Sequence, residues 1–323
     1  MTMPEPRAPR HVPLAYVMRS GLVESVHHGS MVVLAPDGSV RYELGDPGSV
    51  MYPRSSMKPV QATAMTRLGL DLPADLLALA ASSHSGERYH LDGARKILVR
   101  HGLSEDDLRN PVSMPLDPEV RDEWIAAGRA GSRVAQNCSG KHAAMLATVR
   151  GNGWSLSDYL EPDHPLQKEI ARTAEDLSGE PVAHVAVDGC GAPLFALSLT
   201  GLARAVARIA AGAEGSAEHA VAEAIRAHPN MLGGSNRPVT ELIRAVPELI
   251  AKDGYEGVMV AAMPDRSVVA VKIADGSGRA RTPVTAAGLA MLGVPDARLA
   301  PFFEGARDDQ ADGVVLVPEL RQE

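Results

Sequence analysis

Ser55 and Lys58, in Pro53-Arg54-Ser55-Ser56-Met57-Lys58-Pro59, open a predicted helix three residues apart, so hydroxyl and amine share one face. A lysine so placed can take the proton of the serine, which then attacks an amide carbonyl. The requirement is quantitative. A lysine near pKa 10.4 is neutral about once in 2,500 at pH 7, so burial or a neighbouring cation must lower it by roughly three units, about 4 kcal/mol. The same four residues also suit a plain helix start in which Ser55 is only a cap.

Asn137-Cys138-Ser139-Gly140-Lys141-His142 suggests a phosphate loop, but that pattern needs Gly and Ser or Thr where this chain has Ala135 and His142. Read as a helix start, the segment puts Cys138 on free backbone amides that lower a thiol pKa, with Lys141 one turn on. The second cysteine, Cys190, lies in Val187-Asp188-Gly189-Cys190-Gly191. Two such thiols are half of a zinc site, a redox pair or simply inert. Ser83, in Ala81-Ser82-Ser83-His84-Ser85-Gly86-Glu87, sits in a hydroxyl cluster that ends an apolar helix, a plausible cleft lip; His84 and Glu87 there suit a metal or a polar helix end. Lys272 stands near the end of a strand before Asp275-Gly276, without the Lys-Thr-Gly sequence of penicillin-recognising enzymes.

Composition sharpens the lysine question. Of 32 basic residues only Lys58, Lys96, Lys141, Lys168, Lys252 and Lys272 are lysines, so Lys is a choice in this chain. Arginine cannot release its proton, whereas lysine can. Lys96, Lys168 and Lys252 read as solvated cations among other charged residues; Lys58, Lys141 and Lys272 are the candidates. A net charge of −8 and 3% aromatic residues argue against nucleic-acid partners. No apolar run reaches membrane-spanning length. The Pro- and Arg-rich start lacks a secretory core, which predicts a cytoplasmic protein.

The elements that must position these residues read as α+β. Strands at Leu14–Met18, Val32–Leu34 and Val40–Leu44, the last two joined at Pro36-Asp37-Gly38, pair with a second hairpin, Gly257–Met263 and Ser267–Ile273, into one antiparallel sheet built from both chain ends. Helices at Ser56–Arg67, Ala74–Ala81, Leu91–His101, Ser139–Val149, Pro165–Leu177, Ala205–Ala211 and Ala217–Ala227 fill the middle, with Val284–Leu292 against the sheet. Residues 1–10 read as a tail and 11–323 as a single catalytic unit, mainly helical over about 60–250.

Together these segments resemble the bacterial asparaginases of the Rhizobium etli inducible type. The likeness runs from Val23-Glu24-Ser25-Val26-His27 through Gly45-Asp46-Pro47, the Ser55, Ser83 and Cys138 motifs, Asp163-His164-Pro165 and Asp188-Gly189-Cys190 to Val271-Lys272-Ile273-Ala274-Asp275-Gly276. It implies a serine-β-lactamase-like fold, a homodimer and two Ser-Lys pairs, Ser55 with Lys58 and Ser83 with Lys272. It also implies one zinc ion per chain on Cys138, Lys141 and Cys190. The expected activity is hydrolysis of L-asparagine through a seryl acyl-enzyme, with Ser55 as nucleophile, Lys58 as base and Ser83 with Lys272 as proton relay. Arg54 and Asp188 are expected to bind the zwitterionic substrate, with His142 in support. The rival readings are a β-lactamase or DD-peptidase and a non-catalytic zinc- or amino-acid-binding protein.

Overall fold

The computed structural model describes residues 8–303 and 313–321; the rest of the predicted tail, residues 1–7, lies outside them. Ten strands occur among these residues: β1 (Val12–Arg19), β2 (Leu22–Leu34), β3 (Val40–Leu44), β4 (Val50–Met51), β5 (His184–Val187), β6 (Pro193–Ser198), β7 (Ile250–Gly254), β8 (Val258–Ala262), β9 (Val268–Ile273) and β10 (Gly313–Leu316). The main sheet runs β10-β1-β2-β9-β8-β7, with β3 paired to β2, and every pairing is antiparallel. Both chain ends therefore build one sheet, as the sequence predicts.

The two predicted hairpin turns are made by aspartates. At the β2–β3 turn the Asp37 carboxylate accepts the Ser39 N–H at 2.9 Å and Gly38 supplies φ +85°. Asp265 takes the Ser267 N–H at 2.8 Å between β8 and β9. Every residue of β8, and all of β9 except Lys272, is buried, because the Leu199–Ala210 and Arg281–Met291 helices pack on these strands. The first of these helices starts six residues before the predicted Ala205, since the Ser198 hydroxyl accepts the Gly201 N–H at 2.8 Å and caps it.

Most helices of the middle region fall where the sequence puts them. Sequence reading misses the small β4-β6-β5 sheet, the Pro118–Ala126 and Pro238–Ala245 helices and, above all, β7. That strand is the edge of the main sheet and is buried along its length, against the Arg54–Met57 turn and the Pro238–Ala245 helix. Among the described residues no helix is long and apolar enough to cross a membrane.

Two glycines set the closest approaches. A Cβ on Gly140 would lie 2.6 Å from Leu79 O, so only glycine lets the Ser139–Gly151 helix press against the end of the Ala74–Ala80 helix. This brings Cys138 and Lys141 up to Ser82 and Ser83. Gly288 faces the sheet, where a Cβ would meet Val269 Cγ2 at 2.4 Å. In an exposed helix Gly→Ala gains about 1 kcal/mol. Here Gly288→Ala is expected to lose about 1–3 kcal/mol through overpacking, measured by urea denaturation. A raised midpoint would show that this helix does not sit on β9 as described.

Candidate active site

A cleft of about 530 Å³ opens where the Arg54–Met57 turn, the Ser82–Ser83 segment, the start of the Ser139–Gly151 helix, the Asp188–Cys190 loop and the end of β7 meet. Ser55, Ser83, Cys138, Asp188, Cys190 and Asp253 all line it. Close packing sets the angle between the turn and the strand, because a Cβ on Gly254 would lie 2.6 Å from Pro53 O.

Arg54 is held in the left-handed region at φ +54°, which costs a non-glycine residue about 1–2 kcal/mol. Its surroundings fix it there. Nε donates to Asp188 Oδ1 at 2.8 Å, and the guanidinium lies 5.2 Å from the centre of the Tyr255 ring. The next residue, Ser55, is thereby presented to the cleft, partly exposed.

Lys58 is 1% exposed. Its Nζ donates to Ser83 Oγ at 3.0 Å, to Cys138 Sγ at 3.1 Å and to the carbonyl of Ser82. The serine that Lys58 holds is thus Ser83, not the sequence-adjacent Ser55. Ser83 itself is nearly buried.

Behind Lys58 the two neighbouring thiols are shifted in opposite directions. Cys138 is pushed up to about 12 because it donates to Cys190 and is buried. Cys190, which accepts that bond and the Lys141 ammonium at 3.1 Å, is held well below the usual thiol range. The helix start predicts the reverse for Cys138, but the neighbouring Cys190 sulfur and burial outweigh the dipole. Burial alone would lower Lys141, yet the Cys190 and Cys138 sulfurs and Asp188 keep it above its ordinary value. Asp188, which burial would raise, is held down by Lys141 and Arg54. Two sulfurs and one amine therefore converge, and their donor chemistry fits a soft divalent metal once the amine is deprotonated. Among the described residues no group of three or more His, Cys, Asp or Glu is placed to hold an ion, so the amine would have to be the third ligand.

Lys252 is the residue that sequence reading misplaces. Far from being solvated, it is fully buried on β7, where Nζ donates to Asp253 Oδ1 and Asp253 O, both at 2.7 Å. Burial pushes it down to about 8, Asp253 opposes the shift, and Lys58 and Arg237 add to it. Asp253, which burial would raise, is held well below the carboxylate range by Lys252, Arg237 and Arg281. The strand that edges the cleft therefore reads Lys252-Asp253-Gly254, the Lys-x-Gly pattern that is missing at Lys272.

Lys272 is not brought to Ser83. It lies on β9, two strands in from the edge, and its Nζ donates to the carbonyls of Glu256 at 2.6 Å and Ile273 at 2.8 Å. His142 is likewise away from the cleft wall. Fully buried, it bonds the Tyr159 hydroxyl at 2.8 Å through Nδ1, and burial beside Lys141 holds it well below the imidazole range. His84 and Glu87 do not converge on a metal: His84 bonds Ser139 at 2.8 Å, while Glu87 accepts from Ser85, Tyr89 and Ser235.

A model of the L-asparaginase II family matches residues 15–315. The chain belongs to the L-asparaginase II family. Membership makes it an amidohydrolase. No curated protein matches it in sequence. Among solved structures it is similar to a β-lactamase from Mycobacterium bovis, with 15% identity, a TM-score of 0.45, and 82% of this chain and 94% of that one covered. It is also similar to Mglu in its glutamate form, at 15% identity and a TM-score of 0.44, over 84% of this chain and 61% of Mglu. These likenesses are distant. The antiparallel sheet from both chain ends, with helices between them, is the α+β architecture that the sequence predicts.

The buried lysine of β7 has a thermodynamic signature. Its folded pKa, about 8, lies below its unfolded value of 10.5, so between these pH values the unfolded chain holds a proton that the folded chain has lost. Unfolding free energy therefore rises with pH across that window. The stability of wild type relative to Lys252→Met is expected to rise from pH 8 to 10.5 by up to about 3 kcal/mol, measured by denaturant titration. A difference independent of pH would mean that Lys252 is solvated.

Proposed function

We propose that this amidohydrolase is an L-asparaginase of the Rhizobium etli inducible type, hydrolysing the side-chain amide of L-asparagine to L-aspartate and ammonia through a seryl acyl-enzyme. The observation that carries this reading is the Lys58 amine, 3.0 Å from Ser83 Oγ beneath a cleft that Ser55 lines. Ser55 Oγ attacks the amide carbon, and its proton passes to Lys58 by way of the Ser83 hydroxyl that the amine bonds. As the tetrahedral adduct collapses, the C–N bond breaks and the ammonia leaves with a proton delivered through Ser83. Water then cleaves the ester, and the proton returns to Ser55. The role assigned to Lys272 passes to Lys252, which keeps a positive charge beside Lys58 and fixes Asp253.

Asp188 takes the α-ammonium of the substrate, with Arg54 bonded to it and holding it in place. His142 acts at a distance, through the helix that carries Lys141. A zinc ion would be held by Cys138, Cys190 and Lys141, and it would supply a Lewis acid that polarises or positions the substrate. A β-lactamase reading draws on the Lys252-Asp253-Gly254 edge strand, and nitrocefin turnover would favour it.

Ammonia release from asparagine and glutamine tests the proposal. Ser55→Ala and Lys58→Ala should each lower kcat about a thousandfold or more, with the double variant no worse, because the pair acts as a unit. Lys252→Met should cost at least about a hundredfold, and Lys272→Met less than about tenfold. If Ser55→Ala keeps a tenth of the rate, the nucleophile is Ser83; equal losses at the two lysines would return Lys272 to the reaction.

Elemental analysis tests the metal. The purified protein is expected to carry close to one zinc per chain and to lose it on Cys190→Ser, since one thiolate and one amine hold the ion too weakly. Metal-free wild-type protein with a Cys138–Cys190 disulfide would support a redox pair instead.

A further inference from the structure

Asp253 faces more positive charge than it can balance. Its Oδ1 accepts from Lys252 at 2.7 Å, and its Oδ2 from Arg237 Nη2 at 2.6 Å and Arg281 Nη2 at 3.4 Å. Three cations around one carboxylate leave two positive charges in excess. The other acids of the cleft do not meet this need: Asp188 is bonded to Arg54, and Glu256 lies against Gly276.

Both arginines line the cleft, and both sit badly for stability. Arg281 is the first residue of the Arg281–Met291 helix and Arg237 the N-cap of the Pro238–Ala245 helix, at the ends where the dipole disfavours a cation. Arg281 also gives Nη1 to Gly254 O at 3.0 Å, while its Nε is buried with no hydrogen-bond partner. A buried guanidinium N–H left unpaired is costly, and it is satisfied by a planar carboxylate that meets the fork.

We infer that Arg237 and Arg281, tethered by Asp253, form a carboxylate subsite that makes the enzyme selective for amides of free α-amino acids. This rests on the asparaginase reading above. The α-carboxylate docks on Arg281 with Arg237 behind it, and the side-chain amide extends to Ser55. Arg54, expected from the sequence to take that carboxylate, already gives its Nε to Asp188.

The test compares L-asparagine with its α-methyl ester, which keeps the amide and removes the charge. Wild type should prefer asparagine by about a hundredfold or more in kcat/KM. In Arg281→Met that preference should fall below about tenfold through a higher KM for asparagine, with Arg281→Lys intermediate because it keeps charge but loses the fork. Equal losses on both substrates would overturn the inference, since Arg281 would then only brace β7. Should wild type release ammonia from neither compound, the asparaginase reading fails. Calorimetric binding of L-aspartate then tests the subsite alone: a tenfold or greater weakening in Arg281→Met, or in Arg237→Met where the first variant does not fold, supports it. Unchanged or absent binding overturns it.

Discussion

Three amines, Lys58, Lys141 and Lys252, are at most 1% exposed beneath one cleft, and the cost of keeping them there organises everything around them. An unpaired ammonium in a protein interior costs several kcal/mol, so each needs an acceptor shell of its own. Lys58 takes a carbonyl, a hydroxyl and a sulfur, Lys141 an ionised sulfur and a nearby carboxylate, and Lys252 the carboxylate and carbonyl of the next residue. The shells also join. Cys138 belongs both to the Lys58 shell and to the thiol pair, and the charge of Lys58 adds to the downward shift of Lys252. Removing one member therefore shifts the protonation of several, as expected of a coupled network rather than of separate ion pairs.

This arrangement accounts for what could be read from the sequence and what could not. The hairpins announce themselves through Pro-Asp turns, and the long helices through capping residues and apolar spacing. The scarcity of lysine singles out Lys58 and Lys141, both of which the fold buries. The same census held Lys252, but a charged pair in the five-residue segment Ile250–Gly254 looks like a turn, because sequence rules place charges outside. Only the tertiary fold shows that β7 lies under the Arg54–Met57 turn and the Pro238–Ala245 helix, with Asp253 to receive the amine. Lys272 misleads for the opposite reason. Its strand is unmistakable, but its place in the sheet depends on β7 and β8 pairing outside it.

Partnership between side chains is likewise a property of three dimensions. Spacing joins Ser55 to Lys58, whereas the serine hydroxyl that the amine bonds is that of Ser83, 25 residues away in the chain. The left-handed Arg54 cannot be foreseen either, since nothing in its identity asks for φ +54°. Strain of this kind persists where the surroundings over-determine it, and here Asp188 and Tyr255 do so beside the serine assigned to attack.

The division of labour between the two basic residues gives the site its logic. In a chain with six lysines among 32 basic residues, the cations bonded to the buried hydroxyl and thiols are lysines, and those that line the open cleft are arginines. Lysine can surrender a proton or a lone pair, so it suits acid–base work and metal ligation; arginine keeps its charge and offers a rigid fork, so it suits a carboxylate that must be held through turnover. Exchanging them at either place keeps the formal charge and removes the chemistry. Charge alone would have been satisfied by arginine throughout, as over most of this chain, and beneath the cleft lysine stands where the proposed reaction moves a proton or needs a lone pair.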